Sequence, residues 1–158
     1  MKTKRTLTID WEKPNLKEEV GEYLENDFTR NFFKRKYKLE LVNEREVYNF
    51  LSYGSSKIID RVTMLRAVCK NMTITEKDFD SELKDKDYRK SYDSMHKELL
   101  EDGKIRLPSP ILIKFPTLYY GFAGNRRTNL AFNLNMDVCF WIVDYNSYIN
   151  HLKIKKAA

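Results

Sequence analysis

Cysteine and histidine are scarce in this 158-residue chain, two of each, and the scarcity removes whole classes of chemistry. Cys69 and Cys139 lie far apart, and neither belongs to a CxxC or a Cys/His cluster. Zinc sites need ligand pairs two to four residues apart, so nothing points to zinc, and nothing points to haem. Both cysteines sit in apolar runs, which predicts buried, reduced thiols and a cytoplasmic location. Glycine and proline are also few, five and four, and no internal repeat or low-complexity segment is present. Long apolar runs are missing too. The longest uncharged stretch, 115–125, falls well short of the roughly 20 residues of a membrane span, so no membrane partner is expected. The N-terminal Met1-Lys2-Thr3-Lys4-Arg5 has no apolar segment behind it and does not read as a secretory signal.

What is present is a foldable core and a mild excess of positive charge. Hydrophobic residues make up 42% and aromatics 13%, enough for one domain and too many for a disordered chain. The formal charge is +6. It is unevenly spread: residues 101–158 hold eight Lys plus Arg against four Asp plus Glu, while residues 1–100 are nearly balanced. A local basic bias permits an anionic partner without requiring one.

Apolar spacing divides the chain into a mainly helical N-terminal region, 1–103, and a strand-bearing core, 104–158. Thr6-Leu7-Thr8-Ile9 alternates as a short strand before Pro14. Asn15, with Glu18 three residues on, predicts a capped helix from about 16 into the thirties, through Leu16, Val20, Tyr23 and Leu24. Asn43 caps a second helix to Leu51, stopped by Gly54. Ile58, Ile59, Val62, Leu65 and Val68 predict a third, starting at Ser55 or Ser56. A capped segment from Thr75 through Phe79 and Leu83 continues as Tyr88, Tyr92, Met95 and Leu99, and ends at Gly103. Beyond it, Ile111-Leu112-Ile113 and Leu118 to Phe122 read as strands, and 126–134 as a helix closed by Asn135 in the left-handed region. Val138 to Val143 is a last strand, followed by a basic tail. The expected fold is α+β, a small mixed sheet with packed helices.

The candidate site is the turn Gly124-Asn125-Arg126-Arg127-Thr128. Between Phe115 and Met136 the only charges are Arg126 and Arg127, where a strand turns into a helix. A helix N-terminus attracts anions, and two guanidinium groups there suit phosphate oxygens. Cations at that end oppose the helix dipole, a placement that an anion would relieve. Pairing of one arginine with a carboxylate is the competing reading. Gly124 would let a ligand approach the backbone. Asn125, Asn129 and Asn133 share one helix face, read either as a polar surface or as ligand contacts. Tyr119 and Tyr120 point to opposite sides of a strand, so at most one can stack on a base. Phe28, Phe32, Phe33 and Tyr37 alternate with cations, which suits a nucleic-acid backbone or the cationic end of an amphipathic helix equally well.

Pro110-Ile111-Leu112-Ile113, Tyr119 to Arg127, Leu130-Ala131 and Val138 to Val143 together resemble the ParB/sulfiredoxin superfamily over about 107–144. The resemblance implies a phosphate-binding turn at Gly124, Asn125, Arg126, Arg127 and Thr128. It implies a nucleotide (ATP or CTP, with Mg2+) or a nucleic acid as partner. It further implies nuclease or phosphoryl-transfer activity, with Arg126 and Arg127 neutralising phosphate charge and Glu101 or Asp102 as the acidic group. Ser109, Lys114, Tyr120 and Asn129 would flank the ligand. The family's cysteine or glutamate position is Asn125 here, which argues against sulfiredoxin repair, and no helix-turn-helix segment follows the motif. A mobile-element or phage context suits the composition. The alternative is a non-enzymatic protein-interaction module working through the helical region, or a DNA-binding accessory module.

Overall fold

Asparagine side chains start three of the helices. In the computed structural model, which describes residues 6–60, 63 and 86–157, helix α1 (Leu16–Glu25) begins at Asn15. The Asn15 side chain accepts from the backbone N–H of Lys17 and Glu18, with Glu18 and Glu19 in the first turn. The chain then breaks at Asn26 rather than running on into the thirties. Asn26 donates its N–H to Tyr23 and caps helix α2 (Asp27–Tyr37) by accepting from Thr29 N–H at 3.1 Å. A second asparagine side chain thus offers the backbone an alternative to continuing one helix. Helix α3 (Glu44–Leu51) starts at Asn43, which accepts from Glu46 N–H, while Glu46 Oε2 accepts from Val42 N–H.

Strand β1 (Thr8–Glu12) precedes these helices, and strand β2 (Gly54–Ile59) follows them. Helix α4 (Lys86–Asp102) ends at Gly103, whose φ of 76° closes it as expected. Strand β3 (Lys104–Pro108), strand β4 (Ile111–Lys114) and strand β5 (Tyr119–Ala123) come next. Helix α5 (Asn125–Asn133), strand β6 (Val138–Asp144) and helix α6 (Tyr145–Ala157) complete the described chain. Asn135 adopts φ 56° after α5, the left-handed role expected of it.

The fold is α+β with a small mixed sheet. Its strand order is β2-β6-β4-β5, with β4 parallel to β6 and both outer pairs antiparallel. A second, two-stranded sheet pairs β1 parallel to β3. Strands from before residue 103 therefore pair with strands from after it in both sheets.

Two apolar layers cover the two faces of the four-stranded sheet. On one side Leu112, Val138 and Phe140 pack with Leu99 and Tyr92 of α4, Leu130 and Ala131 of α5, and Ile9, Ile105 and Leu107 of the small sheet. On the other, Ile111, Ile113, Trp141 and Val143 pack with Val20 and Tyr23 of α1, Phe33 of α2, Val47 and Phe50 of α3, and Tyr148 of α6. The side-chain alternation of β4 and β6 divides the layers.

Three expectations need correction. Residues 54–59 form an edge strand against β6, not the start of a helix, and Ile58, assigned to an apolar helix face, is 70% exposed. Val62, Leu65, Val68 and Cys69, with the segment from Thr75 to Leu83, lie outside the described residues. The C-terminal basic tail is the end of a 13-residue helix that Asp144 starts by accepting from Ser147 N–H. Cys139 is half-buried on β6 rather than fully enclosed.

Candidate functional site

The turn before α5 is built on Gly124, which has φ 90°, a left-handed conformation that side chains rarely adopt. A β-carbon at this position would stand 2.7 Å from Pro110 Cβ and 2.7 Å from Arg127 Nη2. The missing side chain is therefore needed by the fold itself. The space beside it belongs to Pro110 and Arg127, not to an approaching ligand.

No side chain caps α5, and its first turn holds no acid. The Gly124 carbonyl accepts from Thr128 N–H at 3.0 Å and from the Thr128 hydroxyl at 3.1 Å. Thr128, expected to line the phosphate site, is buried and spends its hydroxyl closing the turn. Such a hydroxyl-to-carbonyl bond one helical turn back is a local structural contact.

Gly124, Asn125, Arg126 and Arg127 line an open cleft of about 740 Å³. Its opposite wall is one face of α1, carrying Glu18, Glu19 and Glu22. Asn26 between α1 and α2, Ser91 and Met95 of α4, Leu107 and Pro108 of β3, and Phe122 and Ala123 of β5 complete the lining. Phe122 is held in place by Tyr23, the rings stacked at 5.9 Å. The cleft thus brings together two arginines, an uncapped helix N-terminus and three glutamates.

The charges on the two walls feel each other. Glu19 is half-buried, and its carboxyl is pushed up to about 7. Desolvation is the main cause, followed by the Glu22 charge and a hydrogen bond to the Glu22 side chain, while the Arg127 charge pulls the other way. Arg127 is shifted down, chiefly by desolvation, with Glu19 opposing the shift and Arg126 adding to it. The Arg127 Nε is buried without a hydrogen-bond partner. The carboxylate pairing set against a ligand role for the arginines is present only as charge attraction, with Glu19 and Glu22 acting on Arg127.

Glu19 and Glu22 have no role in the sequence reading, and Glu18 has only a capping role there. Their i, i+1, i+4 spacing places them on neighbouring positions of one helix, a signal that capping and dipole arguments explain equally well. Only tertiary packing turns that face toward the arginines.

The remaining candidates are scattered. Glu101 and Asp102 are exposed at the C-terminal end of α4, Glu101 lies 3.9 Å from Lys97, and neither lines the cleft. The acidic role expected of them has no structural basis at that place. Ser109 is buried, and its N–H donates to the Glu12 carbonyl at 2.7 Å, extending the β1–β3 pairing. Lys114 is exposed on a different surface, beside Tyr119, Lys57 and Asp144. Tyr120 is buried on the opposite side of β5 from Tyr119, stacked on Phe32 at 5.1 Å and hydrogen-bonded to Thr29 Oγ1 at 3.0 Å. It cannot stack on a ligand from there.

Asn129 is fully buried, so the polar helix surface read for the three asparagines keeps exposed Asn133 and half-buried Asn125 but not Asn129. Its Oδ1 accepts from Asn133 Nδ2 at 2.7 Å, and the same nitrogen donates to the Tyr92 hydroxyl, tying α5 to α4. The basic-aromatic stretch of α2 is the end of an amphipathic helix: Phe33 is in the core, Tyr37 stacks on Phe115 at 3.8 Å, and Lys34, Arg35 and Lys36 are exposed in the last turn. Among the described residues no group of three or more His, Cys, Asp or Glu is placed to hold a metal ion, and no helix is long and apolar enough to cross a membrane. Comparisons with protein-family models, curated proteins and solved structures found no match.

Proposed function

We propose that the cleft between α1 and the Gly124–Arg127 turn binds the phosphate of a nucleotide or nucleic acid. The observation that carries this reading is the pair Arg126 and Arg127 beside an uncapped helix N-terminus in one cleft, with the Arg127 Nε buried and unpaired. A buried guanidinium nitrogen without an acceptor is costly, and an anion's oxygen would satisfy it. The volume lies within the roughly 300–1,000 Å³ of small-ligand sites. The resemblance of the 107–144 segment to the ParB/sulfiredoxin superfamily supports the same turn. Mg2+ belongs to this reading as the companion of nucleotide phosphates, which hold most of its coordination together with water. In an enzymatic form, phosphoryl transfer or phosphodiester hydrolysis, Glu19 replaces Glu101 and Asp102 as the carboxyl group near the ligand, and a carboxyl that titrates near neutrality suits proton transfer.

Calorimetric titration of ATP, CTP and a short DNA duplex, each with and without Mg2+, tests the reading. At least one of these ligands should bind, and the Arg126→Ala/Arg127→Ala variant should bind it at least tenfold more weakly. Equal affinity of that variant and the wild type for every ligand would remove the turn as a phosphate site. Steep loss of DNA binding with salt, without matching loss of nucleotide binding, would assign the turn to backbone phosphates.

A further inference from the structure

We infer that the acidic face of α1 is a pH gate on the turn: its carboxylates compete with an incoming anion for Arg126 and Arg127 while charged, and yield when one of them takes up a proton. The inference rests on the anion-binding reading of the turn and assigns that site its regulation.

The titratable groups lining the cleft are five. Glu18, Glu19 and Glu22 come from α1, and Arg126 and Arg127 from α5. The other elements bring none, since α4 contributes Ser91 and Met95, β3 Leu107 and Pro108, and β5 Phe122 and Ala123. Fully ionised, the cleft carries three negative charges against two positive ones. An anion would then enter a site whose balance opposes it, even with two arginines present. One proton makes the two walls equal.

The geometry fixes where that proton goes. Glu19 and Glu22 stand three residues apart on the same wall of the cleft, and two like charges so placed disfavour ionising both. Glu19 is half-buried, so it resists ionisation more than an exposed partner would. The change therefore falls near neutral pH, in the direction that Glu19's raised carboxyl range indicates. His96 and His151 line neither wall.

The gate also accounts for the placement of the two arginines. Without a ligand, the α1 carboxylates supply the negative charge that an uncapped helix start with two cations needs. An anion must displace this internal substitute. Protonation of Glu19 weakens the substitute and leaves the arginines in place. By linkage, an anion that binds better to the protonated cleft also raises the pH at which Glu19 ionises.

Inorganic sulfate is a suitable probe because it stays a dianion throughout the useful pH range. Its affinity is read from the backbone amide signals of Gly124 and Asn125 in metal-free buffer at pH 5.5, 7 and 8.5. Wild-type affinity should fall about tenfold from pH 5.5 to 8.5, the linkage expected if bound anion shifts Glu19 by about one pH unit. Glu19→Gln should bind at pH 8.5 as tightly as wild type does at pH 5.5, with a nearly flat profile. Glu22→Gln should move the midpoint of the profile to lower pH. A flat wild-type profile, or an unchanged slope in Glu19→Gln, overturns the gate. If Arg126→Ala/Arg127→Ala binds sulfate as tightly as wild type, or wild type and Glu19→Gln bind none at pH 5.5, the anion reading of the turn fails instead, and the gate with it.

Discussion

The guanidinium of Arg127 folds back over Gly124, its Nη2 standing 2.7 Å from where a β-carbon on that glycine would be. Gly124 thus lets the chain reverse with φ 90° and leaves room for the arginine that the turn presents to the cleft. Gly124→Ala places a methyl group against both Arg127 and Pro110 in a backbone conformation that already disfavours it. The expected destabilisation is at least about 2 kcal/mol, read from urea denaturation. Gly21 makes the contrast. It lies inside α1 with nothing within 4 Å of a β-carbon, so Gly21→Ala should stabilise the protein by about 0.5–1 kcal/mol.

The raised carboxyl of Glu19 has a stability consequence of definite sign. Its folded value of about 7 stands above the ordinary 4.5, so the native state holds a proton that the unfolded chain releases. The contribution is fully present below about pH 4.5 and is lost as pH rises through 7. Comparing wild type with Glu19→Gln removes other titrating groups from the difference. The glutamine variant should match wild type near pH 4.5 and exceed it by about 1 kcal/mol at pH 8.5, a figure reduced for the half-exposed position of Glu19. Thermal melts of both proteins at the two pH values check it. Greater stability of wild type at pH 8.5 would mean that the Arg127 attraction outweighs desolvation and Glu22.

Residues with a single local reading were legible in the sequence, and residues whose role is set by distant packing were not. Asn15, Asn43, Gly103 and Asn135 mark helix ends as expected, because caps and left-handed stops depend on a few neighbouring atoms. The apolar run 111–113 and the run 138–143 gave two sheet strands for the same reason. Strand β2 was missed because its residues are mostly exposed. Only Ile59 is buried, and pairing with β6 overrides the helical spacing of Ile58 and Ile59. The site divides in the same way. Gly124, Asn125, Arg126 and Arg127 follow one another in the chain and reach the cleft together, whereas the glutamates facing them sit about a hundred residues earlier. Asn129 carried no local mark of its burial; its partner Asn133 bonds Tyr92 of α4, a contact between helices distant in sequence.

Tyr120 separates a core role from a site role. Its ring stacks on Phe32 and meets Phe33 edge-on at 5.2 Å, and its hydroxyl pairs with Thr29 Oγ1. Burial pushes its phenol upward, with the Thr29 hydrogen bond opposing the shift. Tyr120→Phe keeps the stack and removes one partner of a buried hydrogen bond, leaving Thr29 to find another. A loss of about 1–2 kcal/mol is expected from denaturant unfolding. Tyr120→Ala also empties the aromatic cluster and should cost about 3–5 kcal/mol, in line with large-to-small core truncations. Since Tyr120 is buried and does not line the cleft, Tyr120→Phe should bind sulfate at Gly124 and Asn125 with wild-type affinity at every pH. A tenfold weaker binding in that folded variant would place the phenol at the ligand after all.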